Sequence, residues 1–98
     1  MAVLDRAEVE RRLAALPGWE WAEGAIRRRY RFPDFVAAMG FVQQVALLAE
    51  KADHHPDLLV RYGEVTLTLA THSEGGVTEK DLELAARIER LGAAGTVA

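Results

Sequence analysis

Two adjacent histidines and a third further along are the side chains of this chain best suited to moving protons near neutral pH. His54 and His55 stand together in "AEKADHHPDL", at the end of an apolar helical stretch and directly before Pro56. Imidazole fills a core poorly, so a doubled one at a helix exit points to acid–base chemistry. Glu50 precedes His54 by four residues, a spacing that brings side chains together on a helix. The expected pair is therefore Glu50 with His54. A carboxylate there orients the ring and favours its charged form, and the negative end of the helix acts in the same sense. This makes His54 the expected acid, with Asp53 a further carboxylate beside it. His55 leaves the helix before Pro56 and is expected to point elsewhere, in a different role.

His72 closes "LATHS" and enters the glycine-rich "SEGGVTE" loop. If the segments before and after "RYGE" form a hairpin, the start of one strand lies beside the end of the other. His54, His55 and His72 then gather at one end of it, despite their separation along the chain. Blander readings exist for each residue alone. A histidine at a helix end can cap the dipole, Asp81 has the spacing of a helix cap, and the tryptophans suit hairpin packing. The convergence is what favours a site. Three imidazoles and a water could instead hold zinc, but the spacing matches no familiar zinc pattern, and no metal is expected. No phosphate-binding loop, dinucleotide fingerprint or nucleophile elbow is present.

The elements that must position these residues follow from periodicity. A first helix is expected over 5–16, with Val9, Leu13 and Leu16 as its stripe and Asp5 with Glu8 at capping-box spacing. "WEWAEGAIRRRYRF" alternates on both sides of Glu23-Gly24 and reads as a hairpin. A second helix from Asp34 to Asp53 carries Phe35, Met39, Val42, Ala46 and Ala49 on one stripe and Phe41, Val45, Leu48 and Ala52 beside it. So broad an apolar face predicts the best-buried element. In "DLLVRYGEVTLTLATH" a two-residue Tyr62-Gly63 turn sets Arg61 opposite Glu64, Val60 opposite Val65 and Leu58 opposite Leu67. That register puts Leu58, Val60, Val65, Leu67 and Leu69 on the core face, and Glu64, Thr66, Thr68, Ala70 and His72 on the other. A third helix is expected over 79–91, with Thr78 and Asp81 at capping spacing, and "GAAGTVA" reads as a frayed tail. The order αββαββα implies an α+β fold, a four-stranded antiparallel sheet with three helices packed on one face, in a single domain over 1–98. The free hairpin edges could pair with another chain.

Bulk properties narrow the class. At 98 residues, half of them hydrophobic and 28% charged, the chain has ordinary globular composition. A net charge of −3 argues against nucleic-acid binding, despite the local run Arg27-Arg28-Arg29-Tyr30-Arg31. The absence of cysteine removes disulfide, thiolate and thiolate–metal chemistry and fits a reducing cytoplasm. The early charges of "MAVLDRAEVERR" do not suit a secretory leader, and no membrane association is expected.

Against this background, "EKADHHPDLLVRYGEVTLTLATH" followed by "TEKD" resembles the pterin-4a-carbinolamine dehydratases. The residues that carry the resemblance are Glu50, His54-His55-Pro56, Tyr62, His72 and Asp81; "LPGWEW" and "FPDFVAAMGFVQQVALLAEKADHHP" are similar to the family as well. Leu58 departs from it, standing where relatives often carry an aromatic. The resemblance implies dehydration of 4a-hydroxytetrahydropterin to quinonoid dihydropterin, recycled by an aromatic amino-acid hydroxylase. The product is then reduced before the hydroxylase reuses it. The resemblance implies no metal or dissociable cofactor, and assembly as a homodimer or homotetramer. His54, His55 and His72 would divide the acid and base roles with Glu50 tuning them, and Asp53, Thr71, Ser73 and Asp81 would meet the substrate. A protein-interaction adaptor on the same fold and a metal hydrolase are the rival readings.

Overall fold

Alternating burial is what organises the sheet. The computed structural model of this chain describes residues 2–92, and all but the first glycine of the "GAAGTVA" tail lies outside them. Strands Glu20–Ala22 (β1), Ala25–Arg31 (β2), Asp57–Arg61 (β3) and Glu64–Leu69 (β4) form one antiparallel sheet in the order β1-β2-β4-β3. The helices are Arg6–Leu13 (α1), Phe35–Ala52 (α2) and Glu79–Gly92 (α3), so the order is αββαββα and the fold is α+β. In the central strand β4, Val65, Leu67 and Leu69 are fully buried while Glu64, Thr66 and Thr68 are half-exposed. Ile26 and Tyr30 of β2 join the buried set, and Val9, Phe41, Val45, Leu84 and Ile88 close over it from the helices. Each such side chain contributes about 1.5–3 kcal/mol on burial.

Both hairpins turn where the sequence places them. Glu23 and Gly24 take φ of 48° and 83°, and Tyr62 takes 53°. The β3–β4 register pairs Arg61 with Glu64, Val60 with Val65 and Leu58 with Leu67, as expected. Leu58 is nevertheless 41% exposed, because β3 is an edge strand with no neighbour to cover it.

The helices depart from expectation in two ways. α1 stops at Leu13 rather than 16, and the chain tightens through i→i−3 bonds, Ala14 N–H to Arg11 and Leu16 N–H to Leu13. Gly18 then takes φ +92° with its α-carbon hard against the Arg28 guanidinium, where a side chain would not fit. α2 is not the best-buried element. Its buried stripe is Ala38, Phe41, Val45 and Ala49, whereas Phe35, Val36 and Leu47 are 50%, 79% and 68% exposed. One helix can turn only one face to the sheet, so a broader apolar surface is left outside.

The arginine run divides by strand periodicity. Arg27, Arg29 and Arg31 point to the open face, each within 4 Å of Glu20 or Glu64. Arg28 points inward, where Glu89 Oε1 accepts from its Nη1 at 2.5 Å, from Trp19 Nε1 at 3.1 Å and from Tyr30 Oη at 3.2 Å. Burial and the Glu89 charge push the Tyr30 phenol up, so it stays a donor. This one carboxylate ties β2 and the loop after α1 to α3. Replacing Glu89 with Ala should lower stability by about 2–4 kcal/mol in a urea titration, since it leaves a mostly buried guanidinium unpaired. From the last turn of α1, Arg12 clasps Glu79 of α3 through two bonds of 2.8 and 2.7 Å. It holds that carboxyl below its ordinary 4.5, so this contribution is complete above that pH and fades as pH falls beneath it.

Candidate active site

The end of α2 decides where the two adjacent histidines go. Asp53 adopts the left-handed conformation, φ 51° and ψ 42°. His54 N–H bonds to the Ala49 carbonyl at 3.1 Å and Asp53 N–H to that of Glu50 at 3.2 Å. These six-to-one and five-to-two bonds are a Schellman ending, with aspartate where glycine is usual. Asp53 thus has a backbone role here, and its side chain is exposed.

This ending swaps the expected partners. A continuous helix would have put Glu50 against His54. The left-handed residue between them swings His54 inward, toward α3, and leaves His55 to fold back on α2. His55 Nε2 meets Glu50 Oε1 at 2.6 Å, with the two side chains 54% and 79% exposed. His54 Nε2 instead meets Asp81 Oδ1 at 2.5 Å, with side chains 11% and 0% exposed. The Glu50–His54 pair is therefore replaced by two pairs, one exposed and one buried.

Asp81 is more than a cap. Its Oδ2 accepts from Thr78 N–H at 2.9 Å, which is the cap bond, and from the Thr71 hydroxyl at 2.8 Å. The Thr71 and Thr78 hydroxyl oxygens lie 2.7 Å apart. Because Thr71 gives its hydrogen to Asp81, Thr78 must give its own to Thr71, and Lys80 N–H in turn donates to Thr78 at 3.3 Å. Every hydrogen in this buried chain thus runs toward the carboxylate. With its other donors all pointing at it, Asp81 accepts from His54 as well, so Nε2 of His54 carries hydrogen, and Nδ1, without a partner among the described residues, is left for a ligand. Thr78, read from sequence only as a cap, proves to be the centre of the network; its spacing from Asp81 was the available signal.

Thr71 and His72 are neighbours in sequence but face opposite ways. Thr71 continues the inward set of β4 and is buried. His72 continues the outward set and is exposed, in a compact loop closed by Thr71 N–H to Gly76 at 2.8 Å. Ser73 is exposed in the same loop. His54 lines a cavity of about 360 Å³ between the last turn of α2 and α3, with Lys51, Ala52, Lys80, Glu83, Leu84 and Arg87. His72 lines another, about 340 Å³, on the open sheet face with Asp57, Thr68 and Ala70 among others. The expected gathering of the three histidines around one hollow is not what the cavities show, since His54 and His72 open on different hollows. A larger open hollow of about 790 Å³ at the Tyr62–Gly63 turn holds no histidine.

The chain is thus of the α+β class, a four-stranded antiparallel sheet with three helices, bearing a buried carboxylate–imidazole pair beside a cavity. Comparison narrows it. Residues 2–91 match the family model of pterin 4 alpha carbinolamine dehydratase, and the chain belongs to that family. It is 48% identical over 91 residues to a protein of Mycolicibacterium smegmatis assigned by name to the pterin-4-alpha-carbinolamine dehydratases, covering 93% of this chain and 97% of that one. An Acidobacterium capsulatum protein so named is 52% identical over 91 residues, 93% and 99% of the two chains. Among solved structures, a transcriptional coactivator/pterin dehydratase from Brucella melitensis superposes with a TM-score of 0.86 at 45% identity, over 91% of this chain and 97% of that one. A pterin dehydratase-like RuBisCO assembly factor of the alpha-carboxysome shares the fold, with a TM-score of 0.66 at 22% identity, over 80% and 92%.

Proposed function

We propose that this chain dehydrates 4a-hydroxytetrahydropterin to quinonoid dihydropterin by histidine acid–base catalysis, in the cytoplasm, returning pterin to an aromatic amino-acid hydroxylase. The observation that carries the reading is the 2.5 Å bond from His54 to a fully buried Asp81, beside a cavity. In the reaction the C4a–oxygen bond breaks, the leaving hydroxide takes a proton and departs as water, and N5 loses its proton as the C4a=N5 double bond forms. Hydroxide is a poor leaving group, so the proton delivered to it is the demanding part. His54 acts as the imidazolium: Nε2–H stays on Asp81, Nδ1–H gives its proton to the leaving oxygen, and the ring is left neutral with its hydrogen on Nε2. The expected acceptor of the N5 proton, His72, opens on a different hollow, and His55 is held by Glu50 outside the His54 cavity, so that proton passes to solvent.

The test is direct turnover of chemically generated 4a-hydroxytetrahydropterin, followed by stopped-flow absorbance against its spontaneous dehydration. Acceleration that survives exhaustive chelation supports the reading. No acceleration would leave the fold as an adaptor, and loss on chelation would favour a metal hydrolase.

The same proposal includes self-association. β3 is a free edge with Leu58 and Leu59 41% and 56% exposed, and α2 presents Phe35, Val36 and Leu47 outward. A second copy pairing edge to edge would satisfy the strand and cover apolar surface. Sedimentation at micromolar concentration should give a multiple of 10.8 kDa; a monomer mass would refute it.

A further inference from the structure

The cations of this chain are not distributed evenly between paired and unpaired. Seven arginines, Arg6, Arg11, Arg12, Arg27, Arg28, Arg29 and Arg31, each lie within 4 Å of a carboxylate. Among the described residues five cations, Lys51, Arg61, Lys80, Arg87 and Arg90, take part in no ion pair, and three of the five, Lys51, Lys80 and Arg87, line the cavity that holds His54. The arrangement follows from helix geometry. Lys80, Glu83, Leu84 and Arg87 stand at i, i+3, i+4 and i+7, which puts them on one face of α3. Lys51 is the basic residue of the last turn of α2, on the facing wall. Glu83 is the one carboxylate on that wall, so the lining carries a formal +2 with His54 neutral. A Glu83 side chain placed between Lys80 and Arg87 has the spacing to neutralise either, yet bridges neither.

A neutral bicyclic pterin gives three such cations nothing to do. Phosphate and carboxylate are the groups that basic side chains around a small concave site recognise. The cavity's volume, about 360 Å³, leaves room for a substituent as well as the ring.

We infer that the pterin taken by this site carries an anionic substituent, a phosphate ester or a carboxylate, held by Lys51, Lys80 and Arg87. The inference rests on the dehydratase reading, since it names the substrate class of that site. The anion supplies the counter-charge the protein withholds, and cationic lining concentrates such a substrate from solution.

The experiment compares three chemically generated 4a-hydroxytetrahydropterins on the same protein: one with a neutral 6-hydroxymethyl group, its phosphate monoester, and one with a 6-carboxyl group. At low salt, kcat/KM for at least one anionic substrate should exceed the neutral one by about 10-fold or more, and the excess should shrink as ionic strength rises. The phosphate and carboxylate arms decide which anion is meant. In the triple variant Lys51→Gln, Lys80→Gln, Arg87→Gln the ratio should fall to about 1–2, whatever becomes of the neutral rate. Turnover of the neutral substrate with no anionic preference overturns this inference and leaves the dehydratase reading standing. No turnover of any of the three overturns the dehydratase reading itself. Should the triple variant misfold, the wild-type ratio and its salt dependence still decide.

Discussion

Replacing Asp81 with Asn should reduce kcat for pterin dehydration by about 10²–10⁴, the range that one acid–base group commands. The substitution is nearly isosteric, so the effect is one of hydrogen direction. Asp81 accepts on both oxygens: from His54 Nε2 on one, and from Thr71 and Thr78 N–H on the other. An amide has one accepting end. If its oxygen faces Thr78, its NH₂ faces His54 Nε2, which must then accept, and the ring turns to the wrong tautomer. If its oxygen faces His54, two donors meet at Thr78. Either way one buried group is left mismatched, at about 1–3 kcal/mol of stability. The measurement is stopped-flow dehydration with the thermal midpoint taken on the same sample. A folded Asp81→Asn protein within threefold of the wild-type rate would remove the central pair from the mechanism. Its imidazole ¹⁵N shifts should show the same reversal of tautomer at His54.

The second large effect is an asymmetry between the two adjacent histidines. His54→Gln should lose at least about 10²-fold in kcat, while His55→Ala should lose less than about 10-fold. Gln is chosen at 54 because its amide can still donate to Asp81; alanine there would strand a buried carboxylate, and loss of fold would mask the chemistry. His55 pairs with Glu50 in the open, with both side chains more than half exposed, so its removal should change stability by no more than about 0–1 kcal/mol. The reverse ranking, with His55→Ala inactive and His54→Gln near wild type, would transfer the proton donor's role to His55.

Much of this architecture is legible in local pattern. The β3–β4 register follows from Tyr62-Gly63 together with the apolar alternation, because a slip by one residue would send every buried side chain of β4 to solvent. The cap at Asp5 follows from residue type before an amphipathic run. Other features were not legible. Nothing local says that α2 turns only one of its two apolar stripes inward, since that depends on where the sheet and α3 lie. Arg28 reads as one of three arginines in a row until strand pairing turns it alone toward Glu89.

The candidate site shows the same division. Residue types and spacing by themselves marked His54, His55, His72 and Glu50 as groups available for chemistry, while Asp81 read as a helix cap and joined them only through the resemblance. They could not assign the partners. An i,i+4 argument holds only while the helix continues, and a single left-handed residue at Asp53 exchanges Glu50 for Asp81 as the partner of His54. That choice and the cations gathered around His54 arise from packing α3 against α2. Such contacts join residues distant in the chain, so only the tertiary structure could decide them.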